Sequence, residues 1–386
     1  MHLRRGARLA ACVGRGARCR RAAAGAHARL DRRGWMIDLP RAEAALRAHA
    51  GARFTAAALR VERGGAVAER AVGELQPGGA PAQGDSLFDY ASLTKLFVAT
   101  AALRLVARGA LALDAPVAPW LPRWRQARAG ATLRMLLAHT AGLRSGVDVR
   151  TLADGDVLRY ALEAELAAAP GERVIYSDLG FILLGKVVER AAGTALADVV
   201  RREVLEPLGA STGVGYLPPA TLRRRIAVTE RCAWRGRLMH GEVHDEKCFA
   251  MGGVAGHAGI FGDAATAAAL GRTYLEAGRA VLLPAELSRE AIGEQAWDPI
   301  LRRGLGWALR TSEENSCGRY WSADTFGHTG FTGTCIWVDP QRDLVVVLLT
   351  NSVYVDRSDT RAFRQAVFEG ALLDTEPAAT QARPAP

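Results

Sequence analysis

Lysine is nearly absent from this chain: Lys95, Lys186 and Lys247 stand against forty-seven arginines. The first of them closes the sequence Ser92-Leu93-Thr94-Lys95. A guanidinium keeps its proton in a protein, so arginine supplies fixed charge but not basicity. An ammonium that is buried or set beside another cation can release its proton to become a base for a neighbouring hydroxyl. Residues i and i+3 share one face of a helix, so Ser92 and Lys95 can meet. That pair is the arrangement of a nucleophilic serine with its own proton acceptor. An accidental Ser-x-x-Lys is unexceptional in a chain this long, so the pair needs support from elsewhere.

A second group of reactive side chains lies at His240, Glu242, His244, Asp245, Glu246 and His257. His240 and His244 have the i,i+4 spacing of a zinc-binding helix, but Gly241 stands where that motif places its glutamate. A loop hydrogen-bond network, with GGVAGHAG lining a cleft, is the reading adopted, and no metal or other cofactor is expected. His139 reads as a structural histidine rather than a catalyst.

The elements that must position these residues follow from periodicity. LFVATAALRLVA is apolar on almost every face, which predicts a buried helix over 92–108 with Ser92 in its first turn and Gly109 as its stop. There the helix dipole favours a developing alkoxide. FTAAALRV and AVAERAVGEL around ERGG predict a β-hairpin at 54–75. Helices are expected near 132–138, 154–168, 179–192, 195–206 and 264–276. HTGFTGTCIWVDP and LVVVLLTNS predict closing strands, followed by a helix near 359–372. Strands at both ends with helices between them imply an α+β fold: one antiparallel sheet from the N- and C-terminal segments, flanked by helices, with a mainly helical insertion over about 110–320.

The formal charge of +10 is concentrated at one end. Residues 1–35 carry ten arginines and one aspartate, so the remainder is close to neutral, which argues against a nucleic-acid surface. That leader lacks the apolar stretch of a secretory signal, and no membrane-length apolar run occurs. It reads as a disordered arm, a degraded targeting segment or, the reading favoured, an upstream extension of a start at Met36. The folded domain is expected over 36–373, with a disordered tail at 374–386. On sequence the compartment is cytoplasmic, or periplasmic if the N-terminus is misassigned. Six cysteines without a Cys-x-x-Cys spacing suggest buried or reduced thiols.

Four blocks in order give the Ser-Lys pair its context. They are Ser92-Leu93-Thr94-Lys95, MLLAHTAGL at 135–143, Tyr176-Ser177-Asp178, and His328-Thr329-Gly330. Together they resemble the β-lactamase-related serine hydrolases, which include class C β-lactamases, DD-carboxypeptidases and penicillin-binding-protein-like esterases. GEVHDEKCFAMGGVAGHAGIF at 241–261 is similar to the branch containing penicillin-binding-protein-4B-like carboxypeptidases and muropeptide amidases.

The resemblance implies a β-lactamase/transpeptidase-like fold and an acyl-enzyme on Ser92. Lys95 or Tyr176 would serve as base, with an oxyanion hole from the backbone N–H groups of Ser92 and Phe331. Asp178, His328, Thr329, Gly330 and His257 would face substrate. Two residues depart from the pattern. His328 replaces a lysine that would hold a carboxylate, and Asp178 replaces an asparagine. Both suit a neutral acyl group or ester, or a substrate recognised elsewhere, better than a β-lactam; Asp178 is also a candidate N-cap for the helix it begins. The expected function is hydrolysis of amide or peptide bonds in peptidoglycan-derived peptides. Its alternatives are a carboxylesterase or weak β-lactamase of the same fold, and, in a different class, a non-catalytic binding or sensor domain. A small-molecule or peptide substrate is the only partner expected; the oligomeric state is left open.

Overall fold

The computed structural model describes residues 28–29, 36–276, 282–297 and 301–376. Its main sheet is antiparallel throughout. From one edge to the other the strands are Ala28–Arg29, Ala66–Gly73, Ala56–Arg63, Leu344–Thr350, Cys335–Asp339, Phe326–Thr329, Ala308–Leu309, Arg302–Arg303 and Ala296–Trp297. The expected hairpin turns at Gly64 and Gly65, whose φ angles of 58° and 90° suit glycine. The strand that joins the two ends of the chain is Leu344–Thr350, which pairs with Ala57–Arg63 on one side and Cys335–Asp339 on the other.

That strand is buried at all seven positions, and its side chains divide between two cores. Val345, Val347 and Leu349 enter a core shared with the helical region. Leu344, Val346 and Leu348 face the first helix, Pro40–His49, and the last, Arg361–Thr375. A strand covered on both faces reads as a continuous apolar run rather than an alternation, as LVVVLLT does. Each such side chain stabilises by about 1.5–3 kcal/mol through burial.

Two boundaries differ from expectation. The sheet resumes at Ala296, well inside the predicted helical insertion. Its three strands there are two residues long, too short to carry a period-two signal. At the C-terminus, Asp374 and Thr375 belong to the last helix rather than to a tail. The Asp374 carboxylate accepts hydrogen bonds from the amides of Arg41 and Ala42 at 2.9 and 3.0 Å, capping the first helix from outside it. Residues 377–386, and the leader apart from Ala28–Arg29, lie outside the described residues. Cys232, Cys248, Cys317 and Cys335 are buried free thiols, in line with the cysteine spacing. No helix among the described residues is long and apolar enough to cross a membrane.

Candidate active site

The segment that presents Ser92 is held from three sides. Ser92 occupies a short turn, Ala91–Leu93, leading directly into the helix Thr94–Ala107. Ala91 has a left-handed φ of 47°, costly for a residue with a Cβ. Its amide donates to Asp89 Oδ1 at 2.8 Å, and Asp89 Oδ2 accepts from the His244 amide at 2.6 Å. Burial raises the Asp89 pKa, and those two amide hydrogen bonds oppose the rise. The Asp89 and Tyr90 carbonyls accept from Thr332 and Thr334 at 2.7 and 2.9 Å, fastening the serine turn to the loop after the His328 strand. Gly330 is required there, because a Cβ would lie 2.1 Å from Thr334 Oγ1 and 2.4 Å from the Tyr90 oxygen.

Lys95 is fully buried, and its Nζ donates to Ser92 Oγ at 3.0 Å, Asp178 Oδ1 at 2.8 Å and the His257 carbonyl at 3.2 Å. Three acceptors match the three protons of an ammonium. Burial lowers the pKa of Lys95, but the opposing charge of Asp178, followed by Tyr176, raises it overall. The resting side chain is therefore an ammonium, the form from which any transfer of the serine proton starts. Lysine still fits where arginine does not, since three acceptors converge on one nitrogen. The His257 carbonyl reaches Lys95 because its loop packs on the helix Asp178–Ala192 through Gly256, where a Cβ would sit 1.9 Å from the Phe181 oxygen.

The N-cap of that helix is Ser177, whose Oγ accepts from the Gly180 amide at 3.0 Å. Asp178 is the next residue and is free of the capping role that its position suggested. Its Oδ2 meets Lys247 Nζ at 3.2 Å, and Lys247 also meets Asp245 Oδ2 at 3.0 Å. Asp245 Oδ1 accepts from His257 Nε2 at 2.8 Å. Burial opposes ionisation of Asp178, but Lys95, His257 and Lys247 together hold its carboxyl below the usual range. Asp178, Asp245 and His257 offer ligand atoms within 4.8 Å of one another, yet two ammonium groups already supply the positive charge there.

Tyr176 lies on the other side of Lys95, with Nζ 4.9 Å from its ring centroid and Arg303 Cζ at 5.0 Å. His139 supports it structurally, as expected: its Nδ1 accepts from the Ser177 amide at 3.0 Å, and its ring lies 4.6 Å from that of Tyr176. His328 donates from Nδ1 to its neighbour's carbonyl, Thr329 O, at 2.8 Å. Burial, then Arg303 and Lys95, push its pKa down to about 3, so the ring is neutral. The same causes hold His139 well below its ordinary value.

Ser92, Tyr176, Arg303, His328, Thr329, Gly330 and Phe331 line one cavity of about 1040 Å³. The Phe331 side chain stands exposed between His244, with ring centroids 5.7 Å apart, and Arg357 at 5.6 Å. His257 and Asp178 do not join this lining. Both were expected to face substrate; both instead support Lys95, because the loop at Gly256 turns the His257 ring toward Asp245. His240 and His244 are spoken for as loop residues. His240 Nε2 lies 2.8 Å from the Arg223 carbonyl, and His244 Nε2 lies 3.0 Å from Glu230. Burial favours the protonated form of Glu230, but His244 and Arg357 outweigh it and pull its pKa to about 2.

Residues 40–370 match the family model described as beta-lactamase. The chain belongs to the beta-lactamase family of serine hydrolases. Among relatives of this family member, a putative D-alanyl-D-alanine carboxypeptidase of Escherichia coli (strain K12) is 31% identical over 314 residues, covering 71% of each chain. An N-acetylmuramyl-L-alanine amidase of Bacillus subtilis (strain 168) is 31% identical over 325 residues, 75% of this chain and 73% of that one. The esterase EstB of Burkholderia gladioli is 34% identical over 339 residues, 75% and 84% of the two chains. A solved class C beta lactamase from Rhodobacter sphaeroides superposes with a TM-score of 0.70 at 22% identity, covering 86% of this chain and 98% of that one, a likeness of fold.

Lys247, Arg303 and Asp89 are site residues that sequence reasoning passed over, while Asp245 was read only as a member of the loop network. Lysine scarcity was a signal for the first.

Proposed function

We propose that the protein hydrolyses amide bonds of peptidoglycan-derived peptides through an acyl-enzyme on Ser92. The observation that carries this reading is the Lys95 ammonium held on Ser92 Oγ at the wall of a cavity that also presents Tyr176. Ser92 Oγ attacks the carbonyl carbon, the amine departs with a proton, and water then cleaves the acyl-enzyme. Because Lys95 rests as an ammonium, the serine proton is relayed: either Lys95 or the Tyr176 hydroxyl takes it up while giving one of its own protons to the departing amine, so the amine gains the proton that Ser92 loses. Tyr176 lies beside Lys95 and lines the same cavity as Ser92, so it can act as the relay or assist Lys95. The backbone N–H groups of Ser92 and Phe331 are assigned to the carbonyl oxygen.

The carboxypeptidase and amidase among the relatives support the substrate class. Within it, an amide without a free carboxylate at the strand is the better match, since His328 offers a neutral ring there. The same observation favours a second reading, hydrolysis of a neutral ester, which the relative EstB supports.

The test is mass spectrometry of products formed from N-acetylmuramyl peptides, with Ser92→Ala as control. Release of the intact peptide from muramic acid, or loss of D-Ala, names the bond. Hydrolysis of short-chain nitrophenyl esters alone selects the ester reading. Ser92→Ala removes every one of these activities, and a wild-type protein that no serine-reactive fluorophosphonate labels would overturn the hydrolase reading altogether.

A further inference from the structure

Two of the three lysines in the chain converge on one carboxylate, Asp178. They stand far apart in the sequence, and both side chains are largely buried, at 0% and 14% exposure. Each Asp178 oxygen faces one ammonium. On the far side, Asp245 gives Oδ2 to Lys247, and its Oδ1 accepts from His257 Nε2 and the Cys248 amide, both at 2.8 Å. All four carboxylate oxygens are thus engaged. Two carboxylates this close repel each other unless a cation lies between them. Lys247 is that cation, and with Lys95 it balances the charge of the pair.

We propose that Lys247 is a positioning residue for the reaction at Ser92: it ties Asp178 to Asp245 and so fixes the carboxylate that holds Lys95 on the nucleophile. The inference rests on the serine hydrolase reading. Lys247 does not line the cavity, so its effect on substrate is indirect. The single Nζ reaches both carboxylates at 3.0 and 3.2 Å, a geometry that suits a point charge better than a planar fork.

The sign of a pH effect follows from what surrounds Asp178. The nucleophile helix brings Lys95, the turn at Asp245–Lys247 brings one charge of each sign, and the glycine loop brings His257. Asp148 lies beyond Lys247 and feels its charge. Removing the Lys247 charge leaves two carboxylates and one ammonium, so one carboxylate takes up a proton more readily. Lys95 depends on ionised Asp178, so the acid limb of activity moves to higher pH.

The experiment measures, on the full chain, the rate at which a fluorophosphonate labels Ser92 and the turnover of p-nitrophenyl butyrate, between about pH 4 and about pH 9. Lys247→Met is expected to move the acid limb up by about one unit or more and so to lower kcat about tenfold on that limb, near pH 4, with KM within about twofold. Lys247→Arg, which keeps the charge, returns the limb toward its wild-type position. Should Lys247→Met fail to fold, Lys247→Gln, a neutral donor, carries the same test. A folded neutral variant with the wild-type limb and labelling rate overturns the inference, even if its thermal stability has fallen. Absence of labelling in the wild type is a separate result, and it defeats the hydrolase reading instead.

Discussion

Ser92 stands between two polar walls that meet burial in opposite ways. On one, Lys95, Asp178, Lys247 and Asp245 remain charged and spend their charges on one another. On the other, His139 and His328 carry no charge, because burial and the nearby Arg303 and Lys95 disfavour the protonated ring. The paired wall fixes geometry: every ion has a partner whose removal would leave an uncompensated charge, at a cost of about 3–5 kcal/mol. The histidine wall fixes none in that way: His328 presents a neutral ring to the cavity beside the charged Arg303, and that ring can meet an uncharged substrate group with little desolvation. Tyr176 lies where the walls join, with Lys95 and Arg303 both within about 5 Å of its ring. The division separates a side that sets up the nucleophile from a side that receives substrate.

The largest effect that can test the division comes from Lys95→Arg. If the paired wall orients the nucleophile through a single nitrogen, the planar fork cannot serve Ser92, Asp178 and the His257 carbonyl together. Labelling of Ser92 by a fluorophosphonate is expected to slow by about 10³-fold or more, with circular dichroism unchanged. A folded arginine variant within about tenfold of wild type would show that fixed charge alone is enough, and the contrast between the walls would lose its meaning.

Local chemistry made part of this site legible in the sequence. Ser92 and Lys95 share a helix face, so their meeting follows from spacing alone, and LVVVLLT announces a strand covered on both faces. Other features depend on contacts that no local pattern encodes. Asp178 and Lys247 meet across about seventy residues of sequence, the His257 carbonyl reaches Lys95 through a loop that packs at Gly256, and Arg303 reaches Tyr176 from one of the two-residue strands at the sheet edge. Which residue caps the helix Asp178–Ala192 was not legible, because serine and aspartate both cap well and stand side by side; Ser177 takes the role. The resting charge of Lys95 was out of reach for a related reason: residue type says that a lysine can titrate, whereas the carboxylate beside it sets its charge.

A smaller effect probes the histidine wall. His328→Lys places an ammonium where the ring now stands, and kcat/KM for a carboxylate-bearing β-lactam should rise relative to a neutral nitrophenyl ester by about tenfold. An unchanged ratio would mean that position 328 does not select substrate charge. The wild-type ring has a second signature. Its pKa of about 3 lies below the ordinary value of 6.5, so the unfolded chain binds a proton there that the folded one refuses. Stability from this group is present above about pH 6.5 and declines as the pH falls toward about 3, and His328→Gln should remove that part of the decline in urea midpoints.

The smallest effect belongs to the lysine that neither wall uses. Lys186 donates to Glu189 at 2.6 Å and keeps 29% of its side chain exposed. Glu189 is already anchored through its other oxygen, which accepts from the Leu196 amide at 3.0 Å. A guanidinium can replace an ammonium that has one carboxylate partner and room around it, and exposed pairs of this kind contribute about 0–1 kcal/mol. Lys186→Arg should therefore leave labelling of Ser92 unchanged and shift stability by less than about 0.5 kcal/mol. Set beside Lys95→Arg, it separates two explanations of why an arginine-rich chain retains lysine. If the exposed residue proves as intolerant as the buried one, scarcity of lysine reports something other than converging acceptors. If only the buried residue is intolerant, the number of acceptors around one nitrogen is what excludes arginine.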